Sequence, residues 1–269
     1  MNNVIFYDYA KFDFISYKHA KSNSDEITYF SSHAHAGHEI LYVIEGTPTC
    51  LFEGHSIALK PGDLLIIPPL LYHLLQVAPG DQYERFSLVI FPNKFNAEIN
   101  LNKVLLLFNK HKALQRQLED FAYYYKNCNK EELEEIFEIK TRELIFTLNH
   151  LAPYDNNLQS STENLPLKGI LQYINSNIKN NITVSDISNN CFLSEGHIFH
   201  LFKENLNTTP MHYVKTKKML LAQSLISATN NKDAITTIAQ ELGYSDYSVF
   251  YRNYVNFFKH KPSDDLKTE

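Results

Sequence analysis

With 269 residues, 44% of them hydrophobic and 20% charged, the chain is long enough for two medium domains with a core each, and no apolar run approaches the roughly 18 residues of a membrane span. The opening MNNVIFYDYAKFDF lacks the basic start and apolar centre of a secretory signal, so a cytoplasmic protein without a membrane partner is expected. The formal net charge of −5 hides an asymmetry: residues 1–164 hold 14 Lys and Arg against 21 Asp and Glu, whereas 165–269 hold 11 against 9, the sign that an acidic sensing half and a DNA-facing half would show.

From Val4 to about Phe91 the pattern is that of β-structure. EILYVIEG, SIALKPGDLLIIPP and RFSLVIF are short runs of β-branched, Leu and aromatic residues, punctuated by Gly46, Pro61-Gly62, Pro68-Pro69 and Pro79-Gly80. Many short strands closed by turns predict a sandwich or small barrel. One stretch within it, HAHAGHE at residues 33–39, gathers three histidines and a glutamate. If residues 33–43 run as one extended strand, His33, His35, Glu39, Leu41 and Val43 share a face by parity. His38 and His55 fall outside that set and read as surface or turn residues. Cys50, Cys128 and Cys191 are far apart, match no C-x-x-C pattern and are expected as buried thiols.

From about Ile99 the punctuation stops. LNKVLLLFNKHKALQRQLEDFAYYY and EELEEIFEIKTRELIFTLNHL read as two helices with a break near Asn127–Asn129, the second carrying Leu133, Ile136, Phe137, Leu144, Ile145 and Leu148 at helical spacing. PYDNNLQSSTENLP, residues 153–166, is polar, bracketed by prolines and without period, a linker. From Leu167 to Leu266 the chain reads as short helices, with Thr183, Ser194 and Ser245 or Asp246 as N-caps.

That last third contains a repeat. VSDISNNCFLSEGHIFHLFKENLNTTP aligns with ITTIAQELGYSDYSVFYRNYVNFFKHKP: Phe202 and Pro210 fall on Tyr254 and Pro262 at an offset of 52, while Ile187 and Ile238 align at 51, one residue of difference in the turn. Each copy is a short helix, a tight connection and a second helix, about 184–206 and 235–258. Val184, Ile187, Cys191, Leu193, Ile198, Leu201 and Phe202 would pack the first copy; Ile235, Ile238, Ala239, Leu242, Phe250 and Tyr254 the second. The outer faces then carry donors, aromatics and a few cations, which suits the major groove.

At these residues the chain resembles the AraC/XylS family of bacterial transcription regulators. SEGHIFHLFKENLNTTPMHY and IAQELGYSDYSVFYRNY stand where the family has its two signatures, with His200 where Arg is usual, Asn207 and Lys259 where glycine is usual, Lys218 for an Arg, and PSDDLK at the end. The resemblance implies two units entering successive major grooves about 34 Å apart, with Ser194, Gly196, His197, His200, Lys203, Tyr247, Ser248, Tyr251 and Arg252 facing double-stranded DNA. It also implies RNA polymerase as a partner, an activating role and a homodimer. The 131–150 helix is expected to pair with its copy, or alternatively to pack on the barrel.

The N-terminal half resembles the cupins. His33, His35, Glu39 and Gly46 match H-x-H-x(3,4)-E-x(6)-G, and Gly62, Pro68 and His73 match the second cupin motif, with Leu70 in place of its glycine. In a metal-dependent cupin enzyme His33, His35, Glu39 and His73 would be ligands for Fe, Mn, Ni or Zn. In regulators they would line a small-molecule pocket, for a sugar among other effectors, with no metal or other cofactor. The aromatic N-terminal arm, Phe6 to Tyr17, together with Tyr42 and Tyr72 offers walls for such a ligand. The expected architecture is α+β: a cupin-like β-barrel (1–95), a helical dimerisation segment (96–152), a linker (153–166) and an all-α domain with two helix-turn-helix motifs (167–269). Of the readings, an effector-responsive regulator with His33, His35, Glu39, Tyr42 and His73 at the effector is preferred over a metal-dependent enzyme and over a ligand-independent regulator.

Overall fold

The computed structural model describes residues 3–23, 28–29, 33–53, 55–91, 95, 99, 104–107, 112–151 and 164–266. The expected linker lies outside the described residues up to residue 163. The described residues form β1 (Asn3–Lys11), β2 (Ile15–Asn23), β3 (Thr28–Tyr29), β4 (His38–Glu45), β5 (Thr49–Phe52), β6 (His55–Ala58), β7 (Leu64–Ile67), β8 (His73–Val77), β9 (Gln82–Ile90) and β10 (Leu105–Leu107). The helices are α1 (Lys112–Asn127), α2 (Lys130–Leu151), α3 (Leu165–Ser176), α4 (Val184–Cys191), α5 (Glu195–Leu206), α6 (Pro210–Ser227), α7 (Ala234–Glu241) and α8 (Tyr247–Phe258), with a closing 3-10 turn, Pro262–Asp265. The fold is α+β, as the punctuation of the sequence predicts.

Two antiparallel sheets make the N-terminal half, ordered β1-β2-β9-β4-β7-β10 and β3-β8-β5-β6. Successive side chains on a strand point to opposite faces, and β4 divides its residues accordingly. Leu41 and Val43 join Cys50, Phe52, Ile57, Leu65, Leu75 and Tyr83 in an apolar interior, where burial pushes the Cys50 thiol well above its ordinary pKa. Ile40 and Tyr42 point the other way, into a second core with Tyr17, Phe86 and Leu88 that α1 and α2 cover. Cys128 and Cys191 are only half-buried, in contrast to the expected buried thiols.

Three local expectations are corrected. Residues 33–37 are not an extension of β4, which starts at His38; His33 makes an isolated bridge to His73 instead. Gly37 explains the break, because a Cβ there would stand 2.3 Å from the Ile90 carbonyl oxygen, so only glycine lets the segment fold over the end of β9. Second, the run read as helical from about Ile99 contains β10, paired antiparallel with β7, and the helix starts at Lys112; a short apolar run carries no period that separates strand from helix. Third, the aromatic arm is a hairpin, β1 on β2 and β2 on β9. Its Tyr17 ring lies against Tyr125 and Phe137 at 5.5 Å each, leaving it in a core and not in a pocket.

The apolar stripe of α2 is used within the chain. Leu133, Phe137, Leu144, Ile145 and Leu148 are buried against the barrel and α1, with Ile136 packed beside them, because a sheet with one apolar face must cover it.

The C-terminal half follows its start signals. Thr183 and Asp186 cap α4 reciprocally, Ser194 accepts from His197 N at the head of α5, and Asp246, not Ser245, caps α8 through Ser248 N. Asn207 and Lys259 both adopt left-handed backbone, φ 46° and 67°, the conformation that the family's glycine serves. The two turns differ: Gly243 supplies left-handed geometry in the second (φ 82°), while Phe192 holds it in the first (φ 56°) with its side chain 93% exposed. A non-glycine residue pays about 1–2 kcal/mol there, and Phe192 has little packing to lose. Phe192→Gly is expected to stabilise the protein by about 0.5–1 kcal/mol after the entropy of the new glycine is counted, read as a higher urea midpoint at unchanged slope.

Candidate functional site

The second helix of each repeat unit presents a polar outer face. In α5, Ile198, Leu201, Phe202 and Leu206 are buried, and Ser194, Gly196, His197, His200 and Lys203 are exposed. In α8, Phe250 and Tyr254 are buried, Tyr247, Ser248 and Arg252 are exposed and Tyr251 is half-buried. The helical period brings each predicted set onto one face. Cationic and imidazole side chains among them have local partners: His200 Nε2 lies 3.2 Å from Glu204, Lys203 donates to Asn207 at 3.0 Å, and Arg252 Nε donates to the Ser248 carbonyl at 3.3 Å. Glu204, unremarked in the sequence, puts an acid beside His200.

Between the units runs α6. Its Lys218 is buried and donates to the Leu242 carbonyl at 2.9 Å, closing the end of α7. Burial lowers the pKa of this lysine. The closing turn is tied back as well, since Asp265 accepts from Tyr254 Oη at 2.5 Å and from Gln223 Nε2 at 3.2 Å.

In the barrel, His33, His35, Glu39 and His73 converge although the strand carrying the first two is broken: one donor atom from each lies within 4.8 Å of the others. Glu39 Oε2 is 2.8 Å from His73 Nε2, 3.3 Å from His35 Nε2 and 4.0 Å from His33 Nε2. Its other oxygen accepts from Ser87 Oγ at 2.7 Å. His73 Nδ1 lies 2.9 Å from the Leu71 carbonyl; a carbonyl only accepts, so Nδ1 carries a hydrogen and Nε2 is the atom turned to the cluster. Burial alone would raise Glu39, but hydrogen bonds from His35 and His73 hold it well below the usual carboxylate range. Burial alone would lower His73, and the bond to Glu39 reverses that.

Three imidazoles and a carboxylate, with the carboxylate and one imidazole already oriented from behind, fit a divalent transition metal. The same donors can hydrogen-bond a polar ligand. Tyr42 does not join them: it faces the helical core, stacked on Phe86 at 6.3 Å. His38, expected at the surface, is buried beside Ile40 on that same face, and His55 stacks on Phe52 at 5.6 Å. Ser87 was legible only as the lone hydroxyl within the apolar run RFSLVIF.

Known proteins share both halves. A solved structure of a probable AraC family transcriptional regulator from Rhodopseudomonas palustris is 26% identical and covers 38% of this chain and 94% of that one, with a TM-score of 0.34. The lactose operon transcription activator of Staphylococcus xylosus is 28% identical over 122 residues, 45% of this chain and 43% of the relative. The raffinose operon transcriptional regulatory protein of Pediococcus pentosaceus is 25% identical over 254 residues, 88% and 87% of the two. The match thus spans less than half of the first relative and most of the second. A helix-turn-helix domain family model matches residues 187–268 and a cupin domain model matches 26–91. The chain thus joins a cupin domain on its N-terminal side to a helix-turn-helix domain on its C-terminal side, and in this it is similar to AraC family transcription regulators.

The cupin domain rests directly on α6. Glu53 Oε1 lies 2.7 Å from Lys217 Nζ and accepts from Tyr213 Oη at 2.8 Å, and Lys217 Nζ also donates to the Leu70 carbonyl at 2.5 Å. The Tyr72 and Tyr213 rings meet at 5.1 Å. Leu70 is itself left-handed, φ 65°, at the position where the cupin motif has glycine, and its N–H donates to the His35 carbonyl at 2.8 Å. The segment from Leu70 to His73 therefore ends in the histidine cluster on one side and in α6 on the other.

Sequence reasoning passed over Glu53, Tyr213 and Lys217. The available signal was weak: Lys217 and Lys218 stand next to the apolar run Met219–Ala222, in a helix that also carries Lys215 and other polar residues. The Lys217 and Glu53 side chains are 9% and 15% exposed, and removing one partner of so buried a pair leaves the other charge uncompensated. Lys217→Met is expected to cost about 3 kcal/mol in urea unfolding, and Glu53→Gln/Lys217→Met to recover much of the loss, since no charge is then stranded.

Proposed function

We propose that the chain is a sequence-specific DNA-binding transcription regulator, cytoplasmic, acting as a homodimer and controlled by a small molecule sensed in its cupin domain. The single observation that carries this reading is the pair of capped helices, α5 and α8, each with its apolar face buried and its polar face exposed, set at the two ends of α6. Arg252, Ser248 and His200 reach base edges and Lys203 a phosphate. No reaction is assigned to the chain.

Activation through RNA polymerase is supported by the relatives named as operon activators. Dimerisation rests on what α2 leaves outside once its main stripe is buried: Ile139 and Phe146 are 54% and 66% exposed and lie two turns apart on one side of the helix. The relatives named for lactose and raffinose operons favour a saccharide as effector, with His33, His35, Glu39 and His73 as candidate contacts.

A second reading of that cluster is favoured by its geometry, four donors within 4.8 Å: a divalent metal held by the same side chains, acting as effector or as anchor for one. Elemental analysis of purified protein separates the two. A stoichiometric transition metal that disappears in His35→Ala selects the metal; metal-free protein with unimpaired ligand response selects direct contact.

The regulator reading is tested by gel shift on the operator. Arg252→Ala is expected to weaken specific binding by about 1–3 kcal/mol, and Lys203→Ala to weaken binding evenly across sequences while reducing the salt slope by about one. Unchanged operator affinity in Arg252→Ala would remove α8 from the interface.

A further inference from the structure

Gly196, Phe199, His200 and Lys203 stand at i, i+3, i+4 and i+7 and form one stripe of the exposed face of α5. The Phe199 side chain is 43% exposed. A single exposed apolar side chain signifies little by itself, but a second observation stands beside it. A Cβ at Gly196 would meet nothing within 4 Å, so no packing inside the protein requires glycine there. Its bare backbone leaves a recess one turn from the Phe199 ring, open to whatever lies outside.

The rest of α5 offers few hydrogen-bonding readers of a base pair. It contains no arginine or glutamine, and its Asn205 is turned back on the Leu201 carbonyl at 2.8 Å. Those are the side chains, with lysine, that make paired hydrogen bonds to guanine or adenine. Lys203 donates to Asn207 at 3.0 Å, and His200 Nε2 lies 3.2 Å from Glu204. The repeat places different residues on α8: Arg252 for His200, Ser248 for Gly196, and a half-buried Tyr251 for Phe199. Arg252 Nε is held to the Ser248 carbonyl at 3.3 Å, which leaves the two terminal amino groups to meet O6 and N7 of a guanine.

We propose that the two helices read different bases: α8 a guanine through Arg252, and α5 a thymine whose 5-methyl group seats in the recess over Gly196 against the Phe199 ring. Among the four bases thymine alone carries a methyl group in the major groove, so a hydrocarbon reader selects it without a hydrogen bond. The operator is then not a direct repeat, although the protein contains one. A thymine-bearing box and a guanine-bearing box lie about one helical turn apart, and their order fixes the direction in which the chain faces along the duplex. This deepens the regulator reading and rests on it.

The probe is a random-sequence duplex library, selected by repeated binding to the full-length chain. The selected sites are expected to hold both boxes, and the guanine preference of one box to relax in Arg252→Ala. In the other box each thymine is replaced in turn by deoxyuridine, which removes the methyl group and nothing else. At least one replacement is expected to weaken binding about fourfold, the equivalent of one buried methyl-sized group, and to have no effect in Phe199→Ala. Gly196→Gln, which fills the recess, should likewise erase the difference between thymine and deoxyuridine at an unchanged melting temperature. The two bases are compared within each variant, so a change in overall affinity or stability does not enter the result. A second box without thymine, deoxyuridine tolerated at every thymine, or a methyl effect of unchanged size in Phe199→Ala would each overturn the proposal and leave the regulator reading intact; selection of no sequence at all would overturn both.

Discussion

The alternation of side chains along β4 is the constraint on which the rest of the cupin half depends. This strand is paired on both sides, with β9 and β7, so its register cannot slip by one residue without exchanging its faces. With the observed register Glu39 is turned toward His73 and Ser87, while Ile40 and Tyr42 are turned toward α1 and α2. Reversing it would place a carboxylate in the helical core, uncompensated, and strip the histidines of their partner. The same alternation that seals the apolar interior therefore also delivers one charge to its rim, where imidazoles neutralise it.

The histidine cluster is built less by strand geometry than by closure. His33 and His35 come from a segment without strand pairing of its own, held by the bridge to His73 and by Leu70 N–H on the His35 carbonyl. Two backbone features permit this. Gly37 allows approach to the Ile90 carbonyl, and Leu70 accepts a left-handed conformation whose strain is offset by hydrogen bonds at both its N–H and its carbonyl. The motif spacing in the sequence was sufficient to name the four donors; the path by which they meet was not the straight strand that parity suggests.

What was legible in the sequence is what local physics decides. Caps at Thr183 and Ser194 and the buried faces of α5 and α8 follow from residue type and period within one or two turns; the left-handed Asn207 and Lys259 were marked only by the resemblance, standing where its pattern has glycine. Tyr42 was misread against that same local physics: it was placed with the effector contacts, although parity with Glu39 sets it on the opposite face, where it packs in the helical core. The other misreadings concern choices made at a distance. Leu105–Leu107 becomes a strand because β7 offers an unpaired edge, and the stripe of α2 goes to the barrel because the outer face of the larger sheet would otherwise be wet. Glu53 and Lys217 are far apart in sequence, and neither has a local pattern that announces a partner.

Consecutive lysines on α6 give the clearest view of how the two halves are joined. Lys217 reaches the cupin domain, at Glu53 and the Leu70 carbonyl, and Lys218 reaches the end of α7 at the Leu242 carbonyl. Adjacent residues on a helix point about 100° apart, so a single turn of α6 engages both the cupin half and the second helix-turn-helix unit. Tyr213, one turn earlier, adds the first unit through its contact with Phe202. A helix fixed at three places moves as one body, and a shift of the Leu70 to His73 segment would reach both recognition helices together and not one at a time. Control by a ligand through this helix would have a thermodynamic condition: the ligand would have to prefer one position of that segment, because equal affinity for both leaves the equilibrium where it was. The buried Glu53–Lys217 pair supplies the discreteness this requires, since a desolvated ion pair with two further hydrogen bonds is either assembled or hydrated, with little stability in between.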